Sequence, residues 1–340
     1  MLKALCLAVV IGPVGCSQQP GPPPTSIRIA TYNMEWFGED ANPQRVSNLQ
    51  SVIKEIDPQV VAFQEVQSKR AAEQVFGDEW EIGIKDNPKE DQETGVAVKK
   101  PFVLESSDTV FQDAALDAAF PGGRDVLRAV VKSPSGESFT FYVVHMKSRG
   151  GGGRLKTDNQ REMAADLLAA HIRGKHESNV IVLGDFNDCP DDVSVNILET
   201  GDKRTRGGRA SKPGPLLFNL CEKLYDEDGV THGLSDKFKG KAIPAMVKGA
   251  KKENEQWRGK EYSFPSDVRV EQILFDQILV SKNLLDQASE TKIYSGADAM
   301  RGSIGRVRKS ADGLAEYLEK GSRASDHLPV YVDFDLKAQH

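Results

Sequence analysis

The sequence predicts an α/β fold built as one large domain. Three observations carry this: from Ile27 onward short apolar, β-branched runs alternate with amphipathic helical stretches; no internal repeat is present; and the two Lys-rich stretches that interrupt the pattern hold too few apolar residues to bury a second core. With 340 residues, 39% of them hydrophobic, the chain has enough apolar side chains for one two-sheet α/β unit.

In chain order, residues 1–16 read as a targeting segment: Lys3 supplies a positive start, Ala4 to Ile11 a short apolar run, and Pro13-Val14-Gly15-Cys16 a small-residue exit. The run is too short to span a bilayer. Cys16 after Gly15 resembles the acceptor of a bacterial lipoprotein signal, although Pro13 stands where that box prefers Leu, so lipidation and ordinary signal cleavage both stay open. Residues 17–26 (SQQPGPPPTS) have the composition of a flexible, partly polyproline tether, and 27–336 form the folded domain. This places the protein outside the cytoplasm, periplasmic, at the cell surface or secreted, with a membrane as partner through the lipid if one is attached.

Ile27 to Tyr32 is expected as a strand. Pro43 to Ile56 follows as a helix with Asn42 as N-cap and Val46, Leu49, Ile53 and Ile56 on one face. Asp57-Pro58 ends it. Further strands are expected at Val60 to Phe63, Gly95 to Lys99, Leu127 to Lys132, Phe139 to His145, Val180 to Leu183, Ile273 to Val280 and Pro329 to Phe334. A second long helix should run from Asp158 to Arg173 and close on Gly174. Gly201 to Pro215 and Ser235 to Lys260, the latter carrying Trp257, read as basic surface insertions.

The formal charge of −6 argues against polyanion binding over the whole surface and leaves any such contact to a local basic groove. Of four cysteines, Cys6 lies in the segment to be removed and Cys16 would carry lipid. Cys189 and Cys221 remain as an even pair, which an oxidising compartment would join in a disulfide; two buried free thiols are the other reading.

Polar groups recur at the ends of apolar runs: Asn33 after IRIATY, Glu65 after VVAFQ, His145 after FYVV, Asp185 and Asn187 after VIVLG, and Asp326-His327 before LPVYV. Ends of neighbouring strands converge at one rim of a sheet, so these groups can share a site. Carboxylate and amide oxygens are hard ligands suited to Mg²⁺, with Mn²⁺ or Ca²⁺ as alternatives, and no Cys/His cluster of the structural-zinc kind is present. The histidines are then free for proton transfer or phosphate orientation.

The motifs TYN (31–33), QE (64–65), HMKS (145–148), GDFND (184–188), FDQILVS (275–281) and SDHLPV (325–330) occur in the order found in the endonuclease/exonuclease/phosphatase family, which the chain resembles from Ile27 to Phe334. The resemblance implies a four-layered α/β sandwich, two central mixed β-sheets flanked by helices, and a metal-dependent hydrolase of phosphodiester bonds. It implies that Glu65 is the principal metal ligand with Asn33 and Asp326 close by, that Asp185 and Asn187 contact phosphate, attacking water or a second metal, and that His327 is a catalytic imidazole oriented by Asp276. His145 resembles a second histidine whose acidic partner would be Glu93. Arg124 resembles a phosphate-contacting arginine, a role for which Arg128 competes. Lys147 matches a lysine of secreted bacterial members or is a solvated strand-end residue. The substrate class is nucleic acid first, with inositol phosphates, phospholipids or other phosphate esters as alternatives and an inactive binding module as the non-enzymatic reading. No obligate protein partner is evident.

Overall fold

The protein is described here from a computed structural model that covers residues 24–85, 87, 91–150, 154–208, 215–227, 229–232, 274–294, 296, 302, 306–309, 315–319 and 321–337. The targeting segment with Cys16, all of the tether but its last three residues, residues 209–214 of the first insertion, and the whole of 235–260 with Trp257 lie outside the described residues.

Strand β1 (Ser26–Phe37) leads into α1 (Pro43–Ile56), β2 (Val60–Val66), α2 (Lys69–Val75), β3 (Trp80–Ile84), β4 (Glu93–Lys99), β5 (Val103–Val110), β6 (Val126–Lys132) and β7 (Ser138–His145). Then come α3 (Arg154–Lys175), β8 (Val180–Asp185), α4 (Val193–Thr200), β9 (Phe218–Asn219), α5 (Glu222–Asp226), β10 (Asp276–Val280), β11 (Lys292–Ile293), β12 (Arg306–Lys309), β13 (Ala315–Glu319) and β14 (Val330–Asp335). Two mixed sheets of six strands result, ordered β11-β14-β1-β2-β4-β3 and β5-β6-β7-β8-β10-β9, while β12 and β13 pair separately.

Three apolar clusters explain the layering. One lies between the sheets, with Ile29, Val60, Ala62 and Val96 from the first facing Ala129, Phe141, Ile181, Leu183 and Ile278 from the second. Another packs Leu49, Val52 and Ala72 of α1 and α2 on the outer face of the first sheet, against Tyr32, Val61, Phe63 and Ala97. The last packs Ala165, Leu168, Ile172 and Leu198 of α3 and α4 on the outer face of the second. Central strands are apolar on both faces because both faces are covered, which makes an α/β sandwich of helix, sheet, sheet and helix layers.

Helix α1 matches its sequence signals: the Asn42 side chain accepts from the Gln44 N–H, and Asp57 closes the helix in the left-handed conformation at φ 49°. Helix α3 is longer than expected. It runs through Gly174, which therefore lies inside the last turn and does not cap it. One unpaired glycine is too weak a breaker to stop a helix whose buried face continues to Ile172.

The expected disulfide is absent: Cys189 and Cys221 are both buried thiols that are not bonded to each other. They sit in the cluster between the sheets as small apolar side chains, and burial pushes the Cys221 thiol up to about 12, which keeps it protonated and unreactive.

Candidate functional site

Pairing register assembles the site. In the second sheet, Asp185 at the end of β8 stands opposite His145 on β7 and Asp276 on β10. In the first sheet, Asn33 stands opposite Gln64, which sets Glu65 beside it. The sheets are joined at this rim by Asn33, whose Nδ2 donates to Asp185 Oδ2 at 3.1 Å and to Glu65 Oε1 at 3.3 Å.

The backbone here is bent out of regular strand geometry. Glu65, Glu35, Trp36 and Asn187 have φ of 59°, 44°, 51° and 51°, unusual for residues with a Cβ and sustained by specific bonds. The Trp36 N–H donates to Glu65 Oε2 at 3.1 Å, and the Glu35 N–H to Asn33 Oδ1 at 2.9 Å. Buried Arg45 on α1 donates to the Met34 and Glu35 carbonyls at 2.6 and 2.5 Å, while Arg323 pairs with Glu35 at 2.6 Å.

Gly184 is required by close approach. A Cβ there would stand 2.0 Å from the Val144 carbonyl oxygen, and the residue's φ is 144°. The following loop is held by Asn187, whose N–H donates to Asp185 Oδ1 at 2.8 Å and whose Nδ2 donates to Asp185 Oδ2 at 3.0 Å and to the Met146 carbonyl at 3.1 Å. Asp188 is anchored by Arg161 at 2.7 Å, Arg149 at 3.4 Å and the Ser194 hydroxyl at 2.7 Å.

His327 Nδ1 lies 2.7 Å from Asp276 Oδ2, and its Nε2 lies 4.0 Å from Asp185 Oδ2 and 3.9 Å from Asp326 Oδ1. Burial alone would lower this imidazole, but Asp276, with Asp185 and Asp326 beyond, holds it well above its ordinary range. Ser325 positions the turn: its hydroxyl donates to the Asn33 carbonyl at 2.6 Å and accepts from the His327 N–H at 3.0 Å. His145 Nε2 lies 3.4 Å from Glu65 Oε1 and 3.7 Å from Asp185 Oδ2. Burial and the nearby Arg124 keep this second histidine well below its ordinary range, hence neutral.

Glu65 and Asp185 are two carboxylates in one buried space, and burial raises both, Asp185 to about 7. With His145 they offer ligand atoms within 4.8 Å of one another. Asp326 groups instead with His327 and with His232. His232 was not singled out by sequence; its ring stacks on Phe275 at 5.2 Å and lies 4.3 Å from the His327 ring. Thr231 was missed as well, and its hydroxyl accepts the Phe275 and Asp276 N–H groups at 3.0 and 3.1 Å. The Thr231-His232 pair carries no periodicity or charge signal, and only its place beside β10 reveals it.

One expected pairing is not formed, and the arginine that competes with Arg124 lies elsewhere. Glu93 does not partner His145: its carboxylate accepts the Asn87 N–H at 3.2 Å, and His145 Nδ1 has no hydrogen-bond partner among the described residues. Arg128 is outside the site, donating to Glu177 at 2.9 and 2.5 Å, because its position on β6 points it to the α3 side, where Tyr142 also donates to Glu177. Arg124 instead lies in the site's field, with Glu65 and Asp185 opposing the fall that its burial causes. Lys147 is folded onto its own loop, donating to the Ser148 hydroxyl at 2.8 Å and the Gly150 carbonyl at 2.6 Å, and burial lowers it to about 8.

The family model described as "Endonuclease/Exonuclease/phosphatase family" matches residues 30–327. Solved structures agree in fold. A D. rerio TDP2 complexed with single-strand DNA product superposes with a TM-score of 0.51 at 16% identity, over 92% of this chain and 100% of that one. An endonuclease/exonuclease/phosphatase family protein from Bacteroides thetaiotaomicron gives 0.54 at 17% identity over 92% and 100%. The human Nocturnin catalytic domain with bound sulfate gives 0.51 at 15% identity over 92% and 95%. No curated protein matches.

Proposed function

Because the chain belongs to the endonuclease/exonuclease/phosphatase family, we propose that it is a divalent-metal-dependent phosphodiesterase acting on nucleic acid. The observation that carries the hydrolytic reading is the line Asp276–His327–Asp185, at 2.7 and 4.0 Å, beside the Glu65 carboxylate. A carboxylate on Nδ1 fixes the tautomer and leaves Nε2 to face the reacting atoms.

The residues fit a hard divalent cation: the Glu65 and Asp185 carboxylates supply oxygen ligands and negative charge in one place. Glu65 would hold it, joined by Asn33 once its amide oxygen turns from the Glu35 N–H that it accepts in this structure, and the ion's chemistry when bound would be to draw charge from the phosphoryl oxygens. Asp185 accepts the proton of the attacking water, its orientation set by Asn187. His327, supported by Asp276, donates to a phosphoryl or leaving oxygen as charge builds there. His145, neutral and buried, donates a hydrogen bond and adds no charge. Arg124 attracts the substrate phosphate.

Nucleic acid is favoured because the fold is shared with a D. rerio protein solved with a single-strand DNA product. The Glu93–His145 pair that pointed the same way is not formed, so the substrate rests on that likeness and on the basic insertions. The targeting residues Lys3 to Cys16 support action outside the cytoplasm, with Cys16 as lipid acceptor. A Cys16→Ser chain that stayed as membrane-bound as wild type in cell fractions would refute the anchor.

The deciding experiment is turnover of a chromogenic phosphodiester by the full chain with and without EDTA, followed by single-stranded DNA, RNA and inositol phosphates. Turnover lost in EDTA and restored by Mg²⁺ is expected. Turnover indifferent to chelator would sink the metal dependence, and cleavage of inositol phosphates alone would sink the nuclease.

A further inference from the structure

We propose that His232, Asp326 and His327 form a binding site for a transition-metal ion of the Zn²⁺ type, and that an ion held there blocks hydrolysis by occupying His327 Nε2. The blocking half rests on the role proposed above for His327, whereas the binding half rests on geometry alone.

Asp326 spans the two rings. Its Oδ1 is 3.9 Å from His327 Nε2 and its Oδ2 is 4.0 Å from His232 Nδ1, and one ligand atom from each residue lies within 4.8 Å of the others. These separations are too long for hydrogen bonds. Ligand atoms at about 2.0–2.2 Å from a shared tetrahedral ion stand roughly 3.3–3.5 Å apart, so the carboxylate must close on each ring by about half an ångström, and the whole set, whose ligand atoms lie within 4.8 Å, by at most about 1.5 Å.

Both imidazoles are already oriented. His232 Nδ1 is buried without a hydrogen-bond partner, and its ring is held by the stack on Phe275. The other nitrogen of His327 is engaged by Asp276 at 2.7 Å, the carboxylate–histidine arrangement that fixes metal-ligating imidazoles and raises their basicity. Two imidazoles with one carboxylate favour zinc, cobalt or nickel over magnesium, so this set is chemically distinct from the oxygen-rich group around Glu65. The His232 and Asp326 side chains are 32% and 29% exposed, which gives an ion a path from solvent and leaves a coordination position for water or a phosphate oxygen.

The test is titration of the full chain with Co²⁺ in excess Mg²⁺, reading the visible d–d bands of low-coordinate cobalt, then displacement by Zn²⁺. Wild type should develop the bands and lose them to zinc. His232→Phe keeps a ring on Phe275 and removes the ligand, so it should lose the bands and bind zinc at least about tenfold more weakly. His232→Gln, checked by a thermal melt, serves if the Phe variant does not fold. Zinc should inhibit Mg²⁺-supported turnover of wild type and require at least about tenfold higher concentration in the variant. Equal bands in wild type and His232→Phe would overturn the site, and zinc held through His232 without loss of turnover would overturn the blocking. If no phosphodiester is turned over at all, the hydrolase reading fails while the cobalt bands still decide the site.

Discussion

Asp276 Oδ2 and His327 Nδ1 meet at 2.7 Å across 51 residues of sequence, both buried, at the rim where β10 faces β8. His327→Ala should therefore lower kcat by about 10²–10⁴-fold, the usual loss for a positioned general acid or base, with the Mg²⁺ dependence unchanged. Asp276→Asn should reproduce part of that loss, because an amide holds the ring but does not support its charge. Steady-state kinetics on a diester substrate check both, and near-wild-type turnover of folded His327→Ala would remove the basis of the assignment.

Glu65→Gln removes charge from the proposed cation position. Activity should fall by several orders of magnitude, and the Mg²⁺ concentration for half-maximal turnover should rise. An unchanged Mg²⁺ titration would place the ion elsewhere.

The two candidate phosphate arginines separate experimentally. Arg124→Ala should raise KM or lower kcat/KM at least about tenfold, since a charged hydrogen bond to phosphate is worth roughly 1.5–3 kcal/mol. Arg128→Ala should leave both constants alone and lower Tm instead, because its partner is Glu177. The reverse pattern would exchange their roles.

Gly184→Ala should be strongly destabilising, by about 3 kcal/mol or more, since its Cβ would collide with the Val144 carbonyl oxygen at 2.0 Å and the strands β7 and β8 would have to part. Urea unfolding measures the cost, and a loss under about 1 kcal/mol would show that the strands relax freely.

Glu199 provides a pH test away from the site. Burial, with Glu222 adding, raises its carboxyl from the ordinary range to about 7. The folded chain therefore holds this proton more tightly than the unfolded one, and stability falls as pH rises from about 4.5 to about 7 and then levels. Glu199→Gln keeps an oxygen for the Asn219 N–H, which Glu199 Oε1 accepts at 3.2 Å, and removes the slope. It should match wild type at pH 4 and exceed it at pH 8 by up to on the order of 3 kcal/mol. Parallel urea midpoints for the two proteins across pH would contradict the shift.

Much of the site is legible in sequence because strand ends are local features. The runs before Asn33, Glu65, His145 and Asp185 are apolar and β-branched, so each polar group announces the end of a buried strand, and each lies at or beside the expected rim. Elements without that contrast were missed. Strand β5, VLESSDTV, alternates half-buried and exposed residues on a sheet edge, while β9 and β11 are two residues long and exist only through their neighbours.

Sequence by itself determined the fold class, the central strands and the residue types that crowd the rim, because hydrophobic periodicity and the chemistry of side chains act over a few residues. Tertiary structure alone decided which of those residues touch. Registers within each sheet, and the packing of the two sheets and their loops on one another, gave His145 the company of Glu65 and Asp185 and not of Glu93, sent Arg128 to Glu177, left Cys189 and Cys221 unjoined, and brought His232 beside His327. These residues lie tens of positions apart in sequence, and no local propensity encodes which of several chemically equal partners the packing of two sheets will select.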